Sequence, residues 1–241
     1  MTRRRFIADT WTSTTATLTG DQATHLARVL RAEPGQIFDV VAGGFLHRAE
    51  ITSVREEEVL FTLHEELESD AALPLHLLLA VFKFDHMEWA IEKATELGVS
   101  RITPILARRT EKHLALAANK RVERWRRIAL EASKQSRRTT IPGIADPIQL
   151  KSALEQEHSP TRILLSETEQ ATTITAALAA ALAASQTTDV ALAIGPEGGW
   201  TPEEMALFTT HNWHPVTLGP RILRAETAAI AAIAIASTHL V

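Results

Sequence analysis

The sequence predicts an α/β protein in which a small β domain precedes a larger domain built on a parallel sheet. From Pro74 onward, apolar strand-like runs alternate with longer amphipathic segments, the pattern of a sheet with crossover helices. Before residue 70 the segments are short, alternate in period two and are punctuated by Gly35, Gly43 and Gly44. Toward the C-terminus, two glycine-rich turns each close an apolar run: Gly195-Pro196-Glu197-Gly198-Gly199, and the stretch from Leu218 through Gly219 to Thr227.

Residues 1–70 read as the β domain, with strands over Ile37–Val41, Phe45–Ile51 and Val59–Leu63. One helix spans Asp21–Leu30 and carries His25, Arg28 and Arg31 along its polar side and past its end. The polar stretch Glu65–Pro74 is the natural linker. In the second domain, 74–241, strands are expected at Leu75–Phe82, Ile102–Ala107, Arg162–Ser166, Val190–Ile194 and Pro215–Leu218. Helices are expected at Asp85–Leu97, Asn119–Ser136, Pro147–Glu157, Thr172–Ala184 and Pro202–Thr210. In the first helix Asp85 is placed to cap, Met87, Ala90, Ile91 and Ala94 form the apolar face, and Gly98 ends it. The last segment, Glu226–Leu240, is apolar on almost every side, which predicts burial in the chain's own core or, preferred here, against a second subunit.

Composition narrows the chemistry. The 241 residues include no cysteine, so disulfides, thiolate metal sites and thiol nucleophiles are excluded and a cytoplasmic location is favoured. No apolar run reaches the roughly 18 residues of a membrane span, and no signal core follows Arg3-Arg4-Arg5. The net charge is −4, yet Arg108–Arg138 holds eleven Lys/Arg against Glu111, Glu123 and Glu131, a local net of +8. So segregated a block suits a polyphosphate partner, against the alternative of a solvated face with pairs such as Glu123 with Arg127.

Dinucleotide and nucleoside-triphosphate fingerprints are missing, Ser166 lacks a nucleophile elbow, and no histidine pair has zincin spacing. His211 and His214 flank a turn at Asn212 with no third ligand, so no metal is expected. What remains is a small-molecule pocket at the carboxyl ends of parallel strands, near Ser166, Gly195 and Leu218.

The run Leu192-Ala193-Ile194-Gly195-Pro196-Glu197-Gly198-Gly199-Trp200 with Thr201-Pro202-Glu203-Glu204, and the later run Leu218–Ala228, resemble the signature of the SPOUT class of S-adenosylmethionine-dependent RNA methyltransferases. More specifically, the chain is similar to the bacterial 16S ribosomal RNA uracil-N3 methyltransferase family, a likeness extending to Met87–Val99, Arg124-Trp125, Glu131–Arg137 and His25–Arg31. It departs at Lys83-Phe84-Asp85-His86, where the family has lysine, glycine, aspartate and a basic residue.

The resemblance implies an α/β knot, in which the C-terminal segment threads a loop to form a trefoil, and an N-terminal PUA-like β-barrel that binds RNA. It also implies a homodimer acting on the 16S rRNA of the small ribosomal subunit near the decoding centre, with S-adenosylmethionine as cofactor. On this reading the cofactor is held by Leu165, Ser166, Ile194, Gly195, Pro196, Glu197, Gly198, Gly199, Leu218, Gly219, Arg221, Leu223 and Thr227. Arg224 and Glu226 are the catalytic candidates, and the sequence names no general base. RNA contact is expected from Arg3, Arg4, Arg5, His25, Arg28, Arg31, Lys83, Arg137 and Arg138. The alternatives are a SPOUT 2′-O-ribose methyltransferase acting on tRNA or rRNA, and a non-catalytic RNA-binding assembly protein.

Overall fold

The computed structural model describes residues 5–69, 71–184 and 188–240. The chain divides into two compact units, Met1–Ala71 with Ser133–Thr140, and Ala72–Ala132 with Ile141–Val241. The return of Ser133–Thr140 to the first unit is invisible in the sequence, where these residues continue a helical pattern.

The first unit is a curled six-stranded sheet. Its elements are β1 (Arg5–Ile7), β2 (Thr10–Trp11), β3 (Thr15–Thr19), α1 (Gly20–Thr24), β4 (Ile37–Ala42), β5 (Phe45–Val54) and β6 (Glu58–Leu67), ordered β1-β4-β5-β6-β3-β2. Alternation places Ala16, Leu18, Val40, Ala49, Ile51, Val59 and Phe61 in one core. The expected helix Asp21–Leu30 is instead one α turn followed by a π-helical turn, His25–Val29, after which Arg31 adopts φ +49°. β6 runs to Leu67, so the join to the next strand is shorter than the linker the sequence suggests.

The second unit contains β7 (Leu73–Ala80), α2 (Phe84–Glu96), β8 (Val99–Leu106), α3 (Lys112–Ala117), α4 (Val122–Gln135), β9 (Gly143–Ile144), β10 (Ile148–Gln149), α5 (Leu150–Gln156), β11 (Thr161–Leu165), α6 (Ile174–Ala184), β12 (Val190–Ile194), α7 (Pro202–Thr210), β13 (His214–Val216) and α8 (Ala225–Leu240). All its strand pairs are parallel, in the order β10-β8-β7-β12-β11-β13, with β9 beside β8. Both faces are covered, which is why the strands read as continuous apolar runs. Leu75, Leu77 and Leu79 face one core with α2, α6 and α8, while Leu78 faces a second with α5 and α7.

In α2 the buried residues Met87, Ala90, Ile91, Ala94 and Thr95 recur at helical spacing, and Gly98 ends the helix at φ +97°. The cap position belongs to Lys83, and Asp85 lies inside the first turn. Phe84, where the family has glycine, needs no left-handed backbone: it meets Trp125 edge-on at 6.1 Å, and the Arg121 guanidinium lies 4.7 Å above its ring. The helix expected from Asn119 starts at Val122, after the separate α3 and a 3-10 turn, Ala118–Arg121. The helix expected from Pro147 starts at Leu150, because residues 148 and 149 are extended and pair with β8.

After β13, at the sheet edge, the chain returns to lay α8 against α2, α6, β7 and β12. Ala225, Glu226, Ala229, Ala232, Ile233 and Ala236 are buried there, so this helix completes its own core, and Ile230 and Ile235 are left half-buried.

Candidate functional site

β12, β11 and β13 are adjacent and parallel, so their carboxyl ends deliver the turns at Gly195, Ser166 and Leu218 to one place. There they wall a cavity of about 990 Å³. Of the sequence-derived cofactor residues, Leu165, Ser166, Ile194, Gly195, Pro196, Glu197, Gly199, Leu218, Gly219, Arg221 and Leu223 line it, as does Arg224. Gly198 and Thr227 do not. A Cβ at Gly198 would meet the Arg109 stem at 3.4 Å, so that glycine faces a neighbouring side chain.

Each turn is braced. Gly199 donates to the Pro196 carbonyl at 2.8 Å and takes φ +69°, a conformation that side chains disfavour. The Trp200 indole packs over Gly195, where a Cβ would sit 3.2 Å from the ring, and its Nε1 donates to the Leu165 carbonyl at 3.3 Å. Thr201 and Glu204 form a capping box at the start of α7. The buried Glu204 also accepts from the Arg108 backbone at 2.7 Å through its other oxygen, so one carboxylate joins the 195–201 turn to the 107–110 loop. Arg109 completes that link by donating to the Gly198 carbonyl at 2.6 Å. On the third turn, the Thr217 hydroxyl lies 3.1 Å from the Gly219 nitrogen, and Gly219 holds φ +113° with open space on the side where a Cβ would project.

The charged groups of the wall arrive from several elements. Lys83, expected to touch RNA, pairs with Glu197 at 3.6 Å. His86, which lines the cavity, places Nδ1 3.3 Å from Oε1 of Glu226, itself 2% exposed and behind the wall rather than in it. Sequence reasoning missed His86, Arg109, Trp200 and Thr217 as wall residues, and Glu204 as the brace. The Thr201-Pro202-Glu203-Glu204 run carried a legible cap signal, but its tie to Arg108 spans 96 positions.

The remaining RNA candidates fall in the first unit. The Arg5 guanidinium donates to the Arg137 carbonyl, Arg28 pairs with Glu56, and Arg137 adopts φ +60°. Burial pushes Arg138 down to about 10, which leaves it cationic at neutral pH. Arg3 and Arg4 lie outside the described residues. The basic block is partly neutralised: Arg124 grips Glu88 through two 2.7 Å bonds, and Arg126 pairs with Glu123 and Asp146, so among the described residues Glu123 is partnered at i,i+3 by Arg126 where the sequence suggested Arg127. Among the described residues no acidic or histidine cluster suits a metal, and no helix is long and apolar enough to cross a membrane.

The second unit is thus a parallel α/β sheet with a glycine-turn cavity at the carboxyl ends of its strands, and a small β unit precedes it in the chain. A family model described as RNA methyltransferase domain matches residues 69–237, and one described as RNA methyltransferase PUA domain matches 18–63. Ribosomal RNA small subunit methyltransferase E of Synechocystis is 37% identical over 225 residues, covering 91% of this chain and 72% of that protein. Its Bacillus subtilis namesake is 32% identical, covering 91% and 88%. The structure is similar to that of the Neisseria gonorrhoeae ribosomal RNA small subunit methyltransferase E bound to S-adenosylmethionine, with a TM-score of 0.80, 29% identity and coverage of 97% and 96%. The chain belongs to the ribosomal RNA small subunit methyltransferase E family.

Proposed function

We propose that this chain transfers a methyl group from S-adenosylmethionine to N3 of a uracil in the 16S RNA of the small ribosomal subunit. The observation that carries the reading is the cavity at the ends of β11, β12 and β13, together with family membership. Its chemistry suits the cofactor: Gly195, Gly199 and Gly219 line the cavity with no side chain to fill it, and Leu165, Ile194, Leu218 and Leu223 supply apolar walls for a flat adenosine. When bound, the cofactor supplies an electrophilic methyl group. The chain's own work is then positioning, since in-line displacement gains mainly from alignment. The braces from Glu204, Arg109 and Trp200 hold the turns in one geometry.

Arg224 and Arg221, exposed on the wall, are placed to hold RNA phosphate or developing negative charge. Glu226 acts from behind the wall. RNA is gripped by Arg5, His25, Arg28, Arg31, Arg137 and Arg138 of the first unit, with Arg3, Arg4 and Lys83. A base in folded RNA must leave its stack to reach such a cavity.

The same reading includes a cytoplasmic homodimer and a trefoil knot. The return of the chain from edge strand β13 to α8 against β7 and β12 supports the knot, and the half-buried Ile230 and Ile235 on α8 support the dimer. The test is calorimetric binding of S-adenosylmethionine, followed by label transfer to small ribosomal subunits against transfer RNA. Binding with transfer confined to the subunits is expected; no binding would favour a silent assembly protein.

A further inference from the structure

Two cations that open the basic block, Arg108 and Arg109, lie on the loop that follows β8, and both side chains are exposed. This loop is fixed at three points. The Thr110 hydroxyl donates to the Val81 carbonyl at 2.9 Å, the Arg108 N–H donates to Oε1 of the buried Glu204 at 2.7 Å, and the Arg109 guanidinium donates through Nη1 to the Gly198 carbonyl at 2.6 Å. Oε2 of Glu204 accepts from the Thr201 N–H at 2.9 Å, so the carboxylate that holds the loop also holds the end of the glycine turn. Among the described residues no carboxylate lies within ion-pair distance of either guanidinium. The acids facing them are Glu203, whose carboxyl is held below its ordinary value by its own N–H and by Thr201 with both arginines adding to the pull, and Glu167, whose Oε2 shares the space beside Gly199 with Arg109 Nη1. A guanidinium carries five N–H donors, and the bond to Gly198 uses one of those on Arg109.

We propose that Arg108 and Arg109 grip an RNA phosphate at the rim of the cofactor cavity, and that Glu204 is the positioning residue that fixes this grip relative to the glycine turn. This rests on the reading above that RNA is the substrate. A base that enters the cavity brings its flanking phosphates to the rim, and a guanidinium matches a phosphate in two-pronged geometry. Because the loop is already tied down, its cations give up little freedom on taking that ligand. The two arginines differ in what they touch. Arg108 lies off the cavity wall, so its work is confined to the RNA. Arg109 lines the wall and holds the Gly198 carbonyl, so one guanidinium sets the cofactor turn and keeps donors for the phosphate.

The test uses full-length Arg108→Ala, Arg109→Ala and Glu204→Gln, with Lys151→Ala as a control for loss of an exposed cation on α5. Steady-state transfer to small ribosomal subunits lacking the modification gives KM and kcat at several salt concentrations, and calorimetry gives the affinity for S-adenosylmethionine. Arg108→Ala is expected to raise the subunit KM about fivefold to tenfold at moderate salt, to reduce the slope of log KM against log salt by about one, and to leave cofactor affinity within about twofold. Arg109→Ala should show the same RNA effects and also weaken cofactor binding about tenfold, since the bond to Gly198 is lost. Glu204→Gln sets a donor against a backbone N–H and should weaken both ligands together, each by about tenfold, whereas a purely structural role would lower the melting temperature and move neither. Should that variant fail to fold, the two exposed arginines decide the matter. An unchanged subunit KM and salt slope in both arginine variants, or an equal rise in Lys151→Ala, would overturn the grip while leaving transfer intact. So would a loss confined to cofactor affinity, which assigns the arginines to the cofactor alone. Wild-type protein that binds cofactor yet transfers nothing to RNA would instead overturn the RNA reading, and this role with it.

Discussion

Two histidine–glutamate pairs serve the same domain in opposite ways. His76, on β7, and Glu157, just past α5, form a closed cluster: the His76 Nε2 meets the Thr103 hydroxyl at 2.8 Å, Nδ1 bonds Glu157, and the other Glu157 oxygen accepts from Ser159 N–H at 2.8 Å. The Arg101 guanidinium stands 3.5 Å from the same carboxylate. At the cavity, His86 and Glu226 leave Nδ1 and Oε2 without hydrogen bonds among the described residues. The same residue types thus make a satisfied brace in one place and leave polar atoms unpartnered beside the cavity in the other. Stability is stored where every polar atom has a partner, and chemistry is available where some do not.

The comparison breaks most readily on the open side. Gly219→Val forces a β-branched residue into φ +113°, a conformation costing roughly 1–3 kcal/mol before its side chain meets any ligand. Loss of S-adenosylmethionine affinity of at least about 100-fold is expected by calorimetry, with circular dichroism unchanged. On the closed side, burial opposes ionisation of Glu157, but bonds from His76 and Ser159 outweigh it and hold the carboxyl at about 2. Glu157→Gln should therefore remove about 3 kcal/mol of stability at pH 7 in urea unfolding, with cofactor affinity unchanged.

The sign with pH follows. A depressed carboxyl contributes fully above its ordinary value of 4.5 and less as pH falls toward 2. His76 is also lowered, chiefly by burial against the opposing pull of Glu157, so the unfolded chain takes up that proton first. Wild-type stability should begin to fall as pH drops through about 6.5 and continue below 4.5, and Glu157→Gln should lose the lower phase. Smaller effects are expected elsewhere. Reversing Arg137 and Arg138 to Glu should weaken RNA binding about tenfold at moderate salt and flatten its salt dependence, with cofactor affinity intact. Gly198→Ala, which points at the Arg109 stem, should change cofactor affinity by less than about twofold.

The parts of this site legible in the sequence were those made by local backbone. Val190–Ile194 reads as a buried strand and occurs with those limits, and the glycines at 195, 199 and 219 sit where turns require them. Short strands were missed because β1, β2, β9 and β10 are too brief to show a period. The braces were missed for a different reason: Glu204 to Arg108, Arg109 to Gly198 and His86 to Glu226 join residues roughly 90 or more positions apart, and no spacing encodes them. Gly198, in the same turn, does not line the cavity, and a Cβ there would meet the Arg109 stem, a contact that no local motif encodes.

The most direct measurement is transfer from labelled S-adenosylmethionine to small ribosomal subunits that lack the modification, followed by mass analysis of the nucleosides from the digested RNA. N3-methyluridine as the labelled product is predicted. A 2′-O-methylated nucleoside, or cofactor binding without transfer to any subunit preparation, would contradict the account.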